Sequence, residues 1–120
     1  MYSGKTALCS GIQWDMVMKF VDGKKDAEGT DNFDVRTVNS SRHTGSLAKT
    51  GANNHDKVQN IYDLEGNTEE YVAEKNATSN PFVGRGGSYY GDSYHRASLH
   101  YNHIFDANRI SSFRVTLYVK

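Results

Sequence analysis

Between Ser10 and Gly23 the apolar side chains recur with the period of a helix. Trp14, Val17, Met18 and Val21 fall at i, i+3, i+4 and i+7, which places them on one face. Ser10 offers an N-cap, and Gly23 stands where a left-handed stop is wanted. From Lys24 to Lys57 the chain turns polar, rich in Gly, Asn, Asp, Ser and Thr, with "FDVRTV" as its one strand-like run. That stretch reads as a long irregular excursion of the kind that often carries function. Three strand candidates follow, "EEYVAE", "PFVGRG" and "SFRVTLYVK". In the last, Phe113, Val115, Leu117 and Val119 alternate with Arg114, Thr116, Tyr118 and Lys120, the pattern of a strand with one apolar and one polar face. The expectation is a helix packed on a C-terminal sheet, with Trp14, Val17, Met18 and Phe113 buried together. The window from Ser88 to Ser112 has neither period and predicts a loop over that sheet.

A chain of 120 residues suits one domain over 1–120, with a single core. Eleven glycines against one proline favour a turn-rich fold of short elements. Fourteen basic and fourteen acidic residues cancel, so no net field draws the chain to nucleic acid or an anionic membrane. Its partners must be recognised by shape and local chemistry. No apolar run approaches the roughly 18 residues of a membrane span, and "MYSGKTALCSG" lacks the pattern of a signal peptide. Cys9 is the only cysteine; it allows no internal disulfide and leaves the redox compartment open.

Several catalytic constellations can be set aside on spacing. His95, His100 and His103 invite a metal reading but match no ligand motif, and imidazole sites need a fixed scaffold with second-shell partners. Asp92 and Asp106 suit turns better than paired hydrolytic acids, because Asp bonds its own backbone in turns. No G-x-S-x-G elbow supports a serine nucleophile. "RGG" at 85–87 occurs once in a neutral chain, so its glycines read as a turn or a close approach of backbone rather than an RNA-binding repeat. Glu69 and Glu70 read as solvated strand ends.

The window 88–112 has a chemistry of its own. Its stretch 89–103, "YYGDSYHRASLHYNH", holds four of the chain's eight tyrosines and three of its five histidines. The 25 residues of the window contain no Lys, Glu, Gln, Trp or Met, whereas the rest of the chain contains 19. Burying so many interleaved polar groups would cost about 1 to 3 kcal/mol for each one left unsatisfied. Tyrosine with Ser, Asn, Asp and Gly on an irregular segment is instead the composition of a recognition loop, offering broad contact at low entropic cost.

Four segments in order resemble one family. "SGIQWDMVMKF" looks like the helix motif "PTEAEWEYA" of the formylglycine-generating-enzyme (sulfatase-modifying factor) family. "NIYDLEGNTEEYV" is similar to its "NVYDMAGNVWEWT", "GRGGSY" to its "RGGSW", and "SFRVTL" to its terminal "GFRVAL". The resemblance runs from residue 10 to 119. It implies an α+β fold, an irregular C-type-lectin-like domain of the formylglycine-generating-enzyme type. A helix near the N-terminus and short antiparallel strands toward the C-terminus fit that class. The segment between "RGGS" and "FRV" would then lie on an exposed binding face.

The departures change the expected activity. Members that oxidise sulfatase cysteines use a C-terminal cysteine pair, and nothing between Ser10 and Lys120 is a cysteine, so the chain is expected not to be an enzyme. Glu69 and Tyr71 replace two tryptophans, and Ser112 replaces a glycine. The chain begins almost at the helix motif, so the resemblance implies a trimmed or minimal version of longer members. A subset of this fold comprises the variable proteins of diversity-generating retroelements of phages and bacteria. There, mutated Asn codons of the AAY type never yield Lys, Glu, Gln, Met or Trp, the five types missing from 88–112.

The resemblance therefore implies a receptor or adhesin that binds a protein or carbohydrate ligand on a cell surface, with an extracellular, cell-surface or virion-associated location. Tyr89, Tyr90, Asp92, Tyr94, His95, His100, Tyr101, Asn102, His103, Phe105 and Asn108 would form the face, with Arg85, Gly86, Gly87 and Phe113 to Val115 as scaffold. No cofactor is required; calcium is implied by the match of Asn67 and Glu70 to oxygen-bearing positions of the family's "GNVWEW" segment, chemistry suited to a hard cation. The alternatives are a degenerate or metal-assisted enzyme of that family and a structural subunit of a phage or surface assembly.

Overall fold

Helix α1 (Gly11–Val21) forms where the period predicts it, and both of its ends are chemically fixed. Ser10 Oγ accepts the Gln13 backbone N–H at 3.2 Å, while the Ser10 N–H donates to Gln13 Oε1 at 2.9 Å. This reciprocal box satisfies two of the donors a helix start leaves orphaned. At the other end the Asp22 N–H bonds Met18 O at 3.0 Å, and Gly23, at φ +72°, turns the chain away. Gly11, Trp14, Met18 and Val21 face inward. A Cβ at Gly11 would lie 2.3 Å from Glu74 Oε2, so a larger residue there would have to displace the Glu74 side chain.

The computed structural model describes residues 4–30, 32–36, 45–74, 82–89, 100–101 and 111–119. Within them the chain is α+β, with one helix near the N-terminus and short strands in mixed pairing. Strands β1 (Gly4–Leu8) and β8 (Val115–Val119) pair antiparallel as a ribbon. Strands β2 (Lys57–Val58) and β3 (Ile61–Tyr62) form a tight hairpin. Its two turn residues, Gln59 and Asn60, have φ of +48° and +62°, the combination that matches the twist of a two-residue hairpin. The remaining strands are β4 (Glu69–Ala73), β5 (Phe82–Arg85), β6 (His100–Tyr101) and β7 (Ser111–Phe113). They build a sheet in the order β6-β5-β4-β7, with β4 and β7 parallel and the other neighbours antiparallel.

The core lies between α1 and this sheet. Trp14, Met18 and Val21 meet Val72 of β4 and Val83 of β5, joined by Phe33, Val35, Val58, Leu64 and Cys9, with Val17 and Ile61 packed against its rim. Three expectations need correction here. "FDVRTV" is not a strand over its described part, because side chains take the backbone donors a ladder would use: Asp22 Oδ1 accepts the Val35 N–H and Asp34 Oδ1 the Arg36 N–H. Phe33 and Val35 enter the core as side chains on an irregular segment.

The C-terminal run is likewise two strands, broken at Arg114 and shared between two sheets. Its apolar row points outward: Phe113 is 68% exposed, and Val115 and Leu117 are exposed as well. The opposite row faces the body, where Arg114 Nη2 reaches the Tyr62 and Asp63 carbonyls and Glu70 Oε1, and Thr116 Oγ1 bonds Gln13 Oε1 at 3.2 Å. Phe113 is therefore not part of the core that holds Trp14 and Met18.

Trp14 is almost wholly buried at the centre of that core. Trp14→Ala is expected to destabilise the chain by about 3 to 5 kcal/mol, through lost transfer energy and the cavity left behind. Denaturant unfolding read by far-ultraviolet dichroism measures it, and a loss below about 1 kcal/mol would contradict this packing.

Candidate ligand-binding site

The Tyr- and His-rich segment is held by three short elements. On the outgoing side, β5 ends at Arg85, and Arg85, Gly86, Gly87, Ser88 and Tyr89 are all buried. Gly86 and Gly87 take φ of +86° and +72°, conformations glycine reaches without a Cβ penalty. Gly86 is also confined by its neighbours, since a Cβ there would lie 2.9 Å from Leu64 O, 3.3 Å from Glu70 Oε2 and 3.4 Å from the Trp14 ring. Its carbonyl accepts the Gly66 N–H at 2.9 Å, the Tyr89 N–H donates to Asn67 O at 2.9 Å, and the Gly45 N–H donates to Tyr89 O at 2.8 Å.

On the return side, β7 runs parallel to β4, with Ser111 opposite Glu69 and Ser112 opposite Glu70. Ser112 Oγ accepts from Thr68 Oγ1 at 2.8 Å and donates to Glu69 O at 3.2 Å. Between the two ends, β6 pairs His100 with Arg85 and Tyr101 with Gly84 on the edge of the sheet.

Placement of the expected face is thus mixed. Tyr89 is a correction: it is buried, and both its backbone groups are bonded into the scaffold. His100 and Tyr101 lie on β6. Tyr90, Asp92, Tyr94, His95, Asn102, His103, Phe105 and Asn108 lie outside the described residues. Of the expected scaffold, Arg85, Gly86 and Gly87 are buried, whereas Phe113 and Val115 are exposed.

Strands β4 and β5 carry buried charged residues, two of which were expected in solvent. Glu69 and Glu70 are buried, not solvated strand ends. Glu70 Oε1 accepts from Arg114 Nη2, and Arg85, itself buried, bridges Glu74 at 2.8 Å and Asp15 of α1 at 3.2 Å. These contacts tie β4, β5, the β7–β8 junction and the helix through directional bonds, where each group would be costly to bury alone. Burial pushes the Glu70 carboxyl up to about 8, with the Arg114 guanidinium pulling the other way. Burial also raises the Cys9 thiol above its usual range, so that side chain stays protonated at neutral pH.

Asn67 and Glu70, the residues matched to a calcium position, engage different partners. Asn67 Oδ1 accepts the Ala48 N–H at 3.0 Å, and its Nδ2 donates to Ala48 O at 3.2 Å and Asp63 Oδ2 at 3.1 Å, while Glu70 faces Arg114. Asp63 and Asn67 hold φ of +51° and +56°, and Asp63 also accepts the Gly51 N–H. The loop so formed borders a cavity of about 220 Å³ lined by Ala48, Lys49, Ala52, Asn53, Asp56, Asp63 and Asn67. Among the described residues no group of three or more His, Cys, Asp or Glu side chains is gathered as a metal site. A second polar feature that the sequence did not disclose is the contact between His55 Nδ1 and the buried Asp26 Oδ2, at 2.7 Å. It joins residues 29 apart with no shared motif, so no sequence signal announces it.

Comparison with known protein families, with curated proteins and with solved structures finds no match to the chain.

A pH dependence follows from Glu70. The folded chain holds that proton more tightly than the unfolded chain does, so the associated stability is whole below about pH 4.5 and is lost as pH rises through about 8. Against Glu70→Gln, which keeps an acceptor for Arg114 and removes the titration, the parent is expected to lose stability progressively from pH 5 to pH 8. Denaturant midpoints across that range measure the difference, and parallel curves for the two proteins would contradict it.

Proposed function

We propose that the chain is a non-catalytic ligand-binding domain of the formylglycine-generating-enzyme type of C-type-lectin fold, a variable protein of a diversity-generating retroelement acting as receptor or adhesin. Its ligand is a protein or carbohydrate on a cell surface, met outside the cell or on a virion. The observation that carries this reading is the contrast across 88–112. The residues at its two ends are engaged in the scaffold, Ser88 and Tyr89 by burial and Ser111 and Ser112 by pairing to β4. The 20 or so positions between them carry a Tyr-, His-, Asn- and Ser-rich composition without Lys, Glu, Gln, Trp or Met.

Such a division has an energetic reason. Core substitutions commonly cost several kcal/mol against a total stability of about 5 to 15. A segment that accepts many residues must leave folding to other groups, and here the α1 core, the glycine pair and the Arg85 and Arg114 ion pairs supply it.

Replacing Tyr90, Asp92, Tyr94, His95, Asn102, His103, Phe105 and Asn108 together by Ser is expected to shift the melting temperature by only a few degrees. The same substitutions should abolish binding to any ligand that the parent captures on arrays of cell-surface glycans and ectodomains. Single Tyr→Ala changes should each cost about 2 kcal/mol of that binding. A substituted chain that unfolds makes the segment core, and the reading then fails.

A further inference from the structure

Helix α1 carries a second apolar row that the core does not use. At 100° per residue, Ile12, Met16 and Phe20 lie on the side opposite Trp14, Met18 and Val21, and they are 75%, 67% and 54% exposed. Single exposed apolar side chains are ordinary, but three at i, i+4 and i+8 make a continuous ridge, the element by which one helix packs on another.

We infer that this ridge is a homodimer interface, in which α1 packs antiparallel on the α1 of a second copy about a two-fold axis at Met16. The ridge has the symmetry such a contact needs. Met16 is the middle residue of Gly11–Val21, so Met16 meets its own copy while Ile12 meets the partner's Phe20 and Phe20 the partner's Ile12. Each copy offers the same patch, as a closed two-fold contact requires.

Charge supports the antiparallel sense. Lys19 flanks the ridge, and Asp15, on the same flank, holds Arg85 through Oδ1 at 3.2 Å while its side chain stays 64% exposed, so Oδ2 is the oxygen it can offer a second copy. In this arrangement Lys19 stands about 3 Å along the axis from the partner's Asp15, and the reverse pair repeats the contact. The two helix dipoles run opposed, which is favourable, and a chain of zero net charge meets its copy without long-range repulsion. Helices of this length packed face to face bury on the order of 1,000 Å² in total, near the lower limit for a specific interface. The dimer is therefore of micromolar strength or weaker.

The other exposed apolar row, Val115 and Leu117 on the β1–β8 ribbon, lies opposite Leu8 and Thr6 and offers no such charge pairing. It serves as the competing surface in the test. Sedimentation of the full chain from about 1 µM to 1 mM is expected to show a concentration-dependent monomer–dimer equilibrium. Met16→Lys should abolish it with melting temperature unchanged, since the side chain is mostly exposed, whereas Leu117→Lys should leave it intact. Lys19→Glu should raise the dimer Kd by about threefold to tenfold, more at low salt than at high.

Under mild oxidation Met16→Cys should link to itself across the axis, while the parent, whose Cys9 is buried, should not. A parent that stays monomeric at 1 mM overturns the inference. So does a dimer that survives Met16→Lys, one that Leu117→Lys abolishes instead, or a Met16→Cys variant that does not cross-link.

Discussion

Much of the arrangement depends on one contact, that of the half-buried Arg114 with the buried Glu70. Arg114 sits at the single residue between β7, which belongs to the four-stranded sheet, and β8, which belongs to the ribbon with β1. Its guanidinium reaches Glu70 of β4 and the carbonyls of Tyr62 and Asp63, and its own carbonyl accepts the Cys9 N–H just ahead of α1. One side chain and one peptide group thus join both sheets, the β3 loop and the entrance to the helix. The net gain from such a contact is small, but removing one partner leaves the other without its hydrogen bond in a largely dry setting. The pair therefore acts chiefly as a constraint on geometry.

That constraint explains where the sequence was legible and where it was not. The helix could be read because its determinants are local: the Ser10–Gln13 box and an apolar period within one segment. The C-terminal run could be read as strand, since alternation is also local, but alternation does not say which face turns inward. Side-chain parity in a strand is all or nothing, and once Arg114 is drawn to Glu70, Val115 and Leu117 must face outward. The same non-local contact took Glu70 out of solvent. Strand β1 escaped notice because "GKTAL" has no strong pattern and is defined by pairing with residues more than a hundred positions away. The hairpin of β2 and β3 escaped because Gln59 and Asn60 lack the Asn-Gly signature that usually marks such turns.

Around the Tyr-rich segment the glycine turn was legible and the burial of Tyr89 was not. "RGG" announced a close approach of backbone, and Gly86 meets Leu64, Glu70 and Trp14 as that reading requires. Composition alone grouped Tyr89 with the recognition residues, because a tyrosine at the edge of a Tyr-rich window is indistinguishable from its neighbours. Backbone bonds to Asn67 and Gly45 assign it to the scaffold. On the recognition reading, the first position free to vary is then Tyr90.

The helix has two apolar faces, one packed in the core and one exposed. The inner face packs on Val72 of β4 and Val83 of β5; β5 leads into the Tyr-rich segment and β4 pairs with β7, which follows it. The ridge of Ile12, Met16 and Phe20 points away from that sheet. Pairing through the ridge would therefore leave the sheets of both copies uncovered and, on the recognition reading, place two such segments on one particle. On that reading, two linked sites would raise avidity without any new contact to the ligand, provided that the ligands are spaced to reach both. A weak dimer suits that purpose, because ligands clustered on a surface gather the copies and complete the pairing there.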